Sequence, residues 1–161
     1  MTCMCPAGAP PVLSCHVDGM PATKGSYKPV RNRRTGKTLL VGMNKNEHQW
    51  RAHVAETLRS QWFARHRTST MPRLDAPLCV HAIFLLPRPK SVRPTARPWP
   101  SVAPDIDKLS RCLLDAITDS ELIHDDGRVI HLDAVKHYAP TPHTVGVDLT
   151  IHTIATEEEP S

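Results

Sequence analysis

The spacing of apolar residues along this chain changes several times, and each change marks an element. Residues 12–17 alternate as a short strand. Trp50, Val54, Leu58 and Trp62 recur every fourth residue, which lays one apolar stripe along a helix over 45–64. Asn44 followed by Glu47 is a helix-start signal of the capping-box kind, with Asn in place of Ser or Thr. Both tryptophans read as core anchors. Residues 77–86, PLCVHAIFLL, form the strongest strand, and Pro87 closes it. Ile106, Leu109, Leu113, Ala116 and Ile117 fall at helical spacing over 106–118, with Ile106 turned into the core. Residues 128–138 and 144–154 read as two further strands. Pro140, Thr141 and Pro142 between them point to a hairpin.

Strands and helices alternate, so the expected fold is α/β. It is a single-domain sandwich with a mixed sheet of about four strands packed by two main helices. The domain spans 12–154, between a flexible leader over 1–11 and a polar tail over 155–161. No internal repeat interrupts it. At 40% hydrophobic residues the chain can build a core, and with 4% aromatics that core is mainly aliphatic. No run of about 18 apolar residues exists, so no membrane helix is expected. The N-terminus lacks a basic leader and an apolar stretch of signal length, which points to a cytoplasmic protein. The five cysteines are odd in number and read as reduced thiols.

The charge is unevenly placed. Net charge is +4, yet residues 19–46 contain no acid and seven cations: Lys24, Lys28, Arg31, Arg33, Arg34, Lys37 and Lys45. Glycines and prolines break this segment into a loop or loose hairpin suited to phosphate contacts, although a solvated surface loop has the same composition. A second basic loop over 87–104 holds six prolines together with Arg88, Lys90, Arg93 and Arg97, and it leads directly into Asp105. Irregular loops this long inside a small domain are usually functional or disordered.

The acids gather around the second helix. Asp105 and Asp107 stand at its entrance, and Asp125 and Asp126 in the turn after it. Each pair alone is ordinary, since acids favour helix starts and turns. Both pairs around one apolar helix in a basic chain point to a carboxylate cluster that needs a divalent cation. Asp126 can join the entrance pair only if the following strand lies beside the helix entrance. Arg111 falls four residues after Asp107, on the same helix face. It is either a surface ion-pair partner or a cation aimed at a phosphate. Asp115 continues that face and either orients Arg111 or is a solvated helix acid.

The stretch from Pro104 to Tyr138 resembles the RusA family of Holliday-junction resolvases. The motif P-D-I-D-K-L matches the family opening, L-L-D-A-I supplies Asp115, and H-D-D-G-R-V-I supplies Asp125 and Asp126. The strand after it carries Lys136 and Tyr138. The resemblance is looser upstream, where V-D-G-M-P-A-T-K-G looks like the family's first strand and loop. It implies a homodimeric crossover junction endodeoxyribonuclease of phage or prophage type, with Mg²⁺ as cofactor and Mn²⁺ as a substitute. Asp105, Asp107 and Asp126 would hold the metal, with Asp125 as a further candidate, and Arg111 would be the catalytic cation. Lys24, Lys28, Arg31, Arg33, Arg34, Lys37, Arg88, Lys90, Arg93, Lys108 and Lys136 would contact branched DNA. Two departures stand out: Lys108 replaces the usual Asn, and Arg111 the usual Lys.

Three other readings remain. The same metal site serves a nuclease selective for flaps or forks. A junction-binding protein with a weakened site would follow if Lys108 and Arg111 spoil the chemistry. Ten histidines raise a zinc protein, with His124, His131 and His137 nearest the acids. Trp99, in the loop before Asp105, is either a wedge for the junction or a Pro-Trp-Pro packing contact.

Overall fold

A computed structural model of the protein describes residues 9–25, 27–42 and 46–154. The elements run β1 (Leu13–Asp18), β2 (Tyr27–Arg31), β3 (Thr38–Gly42), α1 (Glu47–His66), β4 (Leu78–Leu86), α2 (Ile106–Asp119), β5 (Val129–Tyr138) and β6 (Gly146–Thr153). Short 3₁₀ turns at Asp126–Arg128 and Pro142–Thr144 lead into β5 and β6. The helices and main strands fall within about two residues of where the periodicity places them. Asn44, the expected cap of α1, lies outside the described residues. Asn46 stands at the helix entrance instead, and the buried Glu47 carboxylate accepts a bond from the Gly25 amide at 2.7 Å.

β4 is apolar at nearly every position, and such a strand belongs in the middle of a sheet. The observed order is β1-β6-β4-β5, with β4 parallel to β5 and antiparallel to β6, and β1 antiparallel to β6. The hairpin expected between the last two strands is therefore not formed. β4 takes the place between them because it has more apolar side chains to bury than either, and the 139–145 connection crosses to its far side. The basic segment does contain a hairpin, β2 against β3. Its turn is built by Asn32, whose side chain accepts from the amides of Arg34 and Thr35. Gly36 supplies the left-handed residue, at φ 68°.

One core joins both helices to one sheet face. Trp50, Val54, Leu58 and Trp62 of α1 and Leu109, Leu113, Ala116 and Ile117 of α2 pack with Val80, Ala82 and Phe84 of β4. Leu13 and Val17 of β1 and Val147, Leu149 and Ile151 of β6 complete it. Ile106 does not join: it is the first helical residue and 37% exposed, and burial along α2 begins at Leu109. The reading of five reduced thiols holds for Cys15 and Cys112, which are free, and fails for Cys79, which is disulfide-bonded. No helix among the described residues is long and apolar enough to cross a membrane.

Candidate active site

Asp105 is the N-cap of α2 in an extended conformation, φ −72° and ψ 135°, so its carboxylate projects at the helix entrance beside the exposed amide dipoles. Asp107 follows in the first turn and Arg111 one turn later. Both are exposed, and neither forms an ion pair with another described residue. Lys108 does: its ammonium lies 3.2 Å from Asp105. The entrance thus offers two carboxylates to solvent on one short arc, with a cation above them and one carboxylate already neutralised by a neighbour.

The proline-rich segment over 87–104 fixes where that entrance sits. The Arg88 guanidinium stacks 3.9 Å from the centre of the Tyr138 ring and donates to the Arg97 carbonyl at 2.6 Å. Arg97 Nε donates to the Tyr138 hydroxyl at 2.7 Å. Lys136 Nζ donates to the Val102 and Pro104 carbonyls at 2.8 and 2.9 Å. Arg88 and Lys136, read from sequence as DNA contacts, are here the pins of a strap that holds Pro104, and hence Asp105, against the end of β5. Arg97 and Tyr138 share that work. The sequence signal for them was only a basic residue among prolines and an aromatic at a strand end.

Asp126 stands elsewhere. It opens the 3₁₀ turn before β5, exposed, while Asp125 caps that turn by accepting from the Gly127 amide at 2.8 Å. Arg128 pairs with Asp75 and holds the turn to the segment before β4. Val129 and Lys136 are seven residues apart on β5, or about 23 Å at the rise of a strand. Lys136 is the residue that touches the strap, so Asp126 lies at the opposite end of β5 from Asp105. Among the described residues no three His, Cys, Asp or Glu side chains are placed to hold one metal ion.

Asp115 turns away from Arg111. It pairs with Lys24 at 2.7 Å and lies 3.7 Å from Arg51, which also reaches Asp119 at 2.7 Å and Glu47 at 3.7 Å. Lys24, another expected DNA contact, is therefore half-buried in an ion-pair network that joins the loop after β1, α1 and α2. Burial alone would lower the Arg51 pKa, but its bond to Asp119 and the charges of Asp119, Asp115 and Glu47 outweigh that and raise it. Arg31, Arg33, Arg34 and Lys37 are exposed on the β2–β3 hairpin, and Lys90 and Arg93 on the strap. The side chain of Lys28 lies outside what is described.

The three histidines of the zinc reading do not meet. His124 is exposed in the turn, and His131 and His137 stand six residues apart on β5. His131 faces His81 instead, ring centres 6.1 Å apart, on the sheet face away from the helices. His81 also bonds Asp133 at 3.4 Å and has its ring 6.0 Å from that of His152.

An exposed acid pair at a helix entrance, a cation on the same face and a basic hairpin are groups able to bind a divalent cation and phosphate. No curated protein matches the chain. The family described as Endodeoxyribonuclease RusA matches residues 21–150, which takes in the hairpin, both helices, the strap and all the acids discussed. Covering most of the sequence and every element of the site, that match shows that the chain belongs to the RusA endodeoxyribonuclease family.

Proposed function

We propose that this protein is a Mg²⁺-dependent endonuclease that resolves four-way DNA junctions by paired phosphodiester hydrolysis, working as a homodimer. The observation that carries the reading is the exposed Asp105–Asp107 pair with Arg111 on the same helix face, inside the span that matches the family. The donor set fits the metal: carboxylate oxygens at solvent are ligands for Mg²⁺, and for Mn²⁺ equally. Such an ion supplies Lewis acidity and an activated water for displacement at phosphorus. Asp105 and Asp107 hold it. Arg111 presents its guanidinium to the charge that grows on the phosphate. Arg31, Arg33, Arg34 and Lys37 hold the arms through their phosphates. Attack by water with departure of the 3′-oxygen leaves a 5′-phosphate and a 3′-hydroxyl.

Asp126 enters this scheme through the dimer. β5 is the last strand of the sheet and exposes Ile130, Leu132 and Val135. Two copies apposed antiparallel along β5 bring Asp126 of the partner subunit toward the end where Asp105 stands, so each site draws acids from both chains. A two-fold dimer then carries two such sites, one for each strand to be cut.

A specific contact favours a second reading. Lys108 occupies the Asp105 carboxylate at 3.2 Å and competes with any cation there. A junction binder with a weakened site would look the same. A labelled synthetic junction incubated with Mg²⁺ or EDTA, beside Asp107→Asn, separates the two. Symmetric paired nicks that need both Mg²⁺ and Asp107 support the resolvase. Tight binding without cleavage, equal in both proteins, overturns it in favour of the binder. Cleavage of flaps or forks in preference to junctions makes it a nuclease of different selectivity.

A further inference from the structure

Tryptophan is the side chain a small core most needs, and two of the three are used that way: Trp50 and Trp62 are 4% and 9% exposed. Trp99 is 57% exposed. Its exposure does not come from a loose loop. Pro98 and Pro100 fix the backbone on either side of it. The Arg97 and Pro98 carbonyls accept from Arg88, the Trp99 carbonyl accepts from the Ser101 amide at 2.8 Å, and the Val102 and Pro104 carbonyls accept from Lys136. The indole also rests edge-on against the His137 ring, centres 5.1 Å apart. One edge-to-face contact takes up at most one of its two faces. A large apolar ring is thus held rigidly in water six residues before Asp105, and Val102 and Ile106 further along the same stretch are also exposed.

Resting on the junction-nuclease reading, we propose that Trp99 is a specificity-determining residue: its free indole face stacks on a base that has lost a stacking neighbour at the branch point and sets the preference for branched over linear DNA. The physical case is differential. Linear duplex has no free base to offer, so a stacking platform gives it nothing. At a branch point, bases unstack at low cost and can exchange one neighbour for an indole. Because the ring is already immobilised by the strap, stacking costs little further ordering of the protein. The outcome is selectivity from a residue that touches neither metal nor scissile phosphate, and whose removal leaves phosphate-based binding intact.

The test uses the full chain in EDTA, with a junction carrying 2-aminopurine beside the branch point and a linear duplex of the same sequence. Affinity and 2-aminopurine emission are measured for the wild type, Trp99→Phe and Trp99→Ala. Wild type and Trp99→Phe are expected to change the emission and prefer the junction. Trp99→Ala is expected to lose the change and to weaken on the junction by about 5- to 150-fold, the range of one base–aromatic stack, with duplex affinity unchanged. Intrinsic fluorescence gives an independent reading. Trp50 and Trp62 are shielded, so quenching by the junction is expected in the wild type and absent in Trp99→Phe. A Trp99→Ala protein that keeps both the emission change and the junction preference overturns the proposal. A wild type with no preference for the junction overturns the junction reading itself, a different and separately visible result.

Discussion

Lys24 and Asp115 meet 2.7 Å apart across the seam between the loop after β1 and helix α2, with Arg51 of α1 3.7 Å away on the other side. The side chains of Lys24 and Asp115 are only 25% and 18% exposed, so water screens the pair less than at an open surface. Asp115→Asn leaves two cations facing a neutral amide. The expected result is a loss of about 1–2 kcal/mol in denaturant unfolding, with DNA cleavage per folded molecule unchanged. A large fall in cleavage at full stability would return Asp115 to the role of orienting Arg111.

Lys108 lies where its charge competes with a metal for Asp105. Lys108→Asn removes the competitor and keeps a polar side chain. It is expected to lower the Mg²⁺ concentration for half-maximal cleavage by about 1.5- to 5-fold, in keeping with the few tenths to one kcal/mol of an exposed ion pair. Metal titration of cleavage rates reads this directly. An unchanged or higher Mg²⁺ requirement would mean that the lysine serves DNA instead.

The separation of Asp126 from Asp105 along β5 predicts complementation. Asp107→Asn and Asp126→Asn proteins, each inactive alone, are expected to recover cleavage when co-refolded. In the mixed dimer one site loses both acids and the other loses none. Single nicks in place of paired cuts are the expected product. If a chain supplied all its own acids, both sites in every mixture would be damaged and no activity would return.

Cys112 is fully buried, and its thiol is pushed up to about 12, first by burial and then by the nearby Glu47 charge. Cys15 is raised to about 11, again mainly by burial. Both folded values lie above the ordinary thiol value of 9.0. Their stabilising effect is therefore complete below pH 9 and is lost as pH climbs toward the folded values, because only the unfolded chain releases the protons. Unfolding free energy is expected to decline between pH 9 and 11, and less steeply in Cys112→Ala. Equal slopes in both proteins would show that other groups set the decline.

The helices and the strong β4 were legible because each buries one face, and burial writes a period into sequence. The entrance pair Asp105–Asp107 was legible for the same reason, as acids placed against the first turn of such a helix. Strand order was not. Whether β5 and β6 are neighbours depends on which strand buries most, a comparison across the whole sheet that no local turn residue reports. The cations proved hardest to assign. Lys24, Arg88 and Lys136 look like Arg31 and Arg33 in the sequence, but they are bound to Asp115, to the Arg97 carbonyl and to the strap. A cation's partner is set by tertiary distance, which composition cannot carry.

β6 lies between β1 and β4, so β1 reaches the rest of the sheet only through it. Ser14 and Thr150, which face each other there, are 136 residues apart. A ribosome making this chain releases β1 long before its partner β6. Until then β1 and the apolar flank of β4 have no strand to pair with, and closing so long a loop is slow. Helix α1, with its local contacts, can form during that wait, but the sheet cannot be completed. A premature stop ahead of Gly146 would therefore yield no smaller working version of the protein. It would leave β1 without a partner and one side of β4 open, a product suited to aggregation and proteolysis.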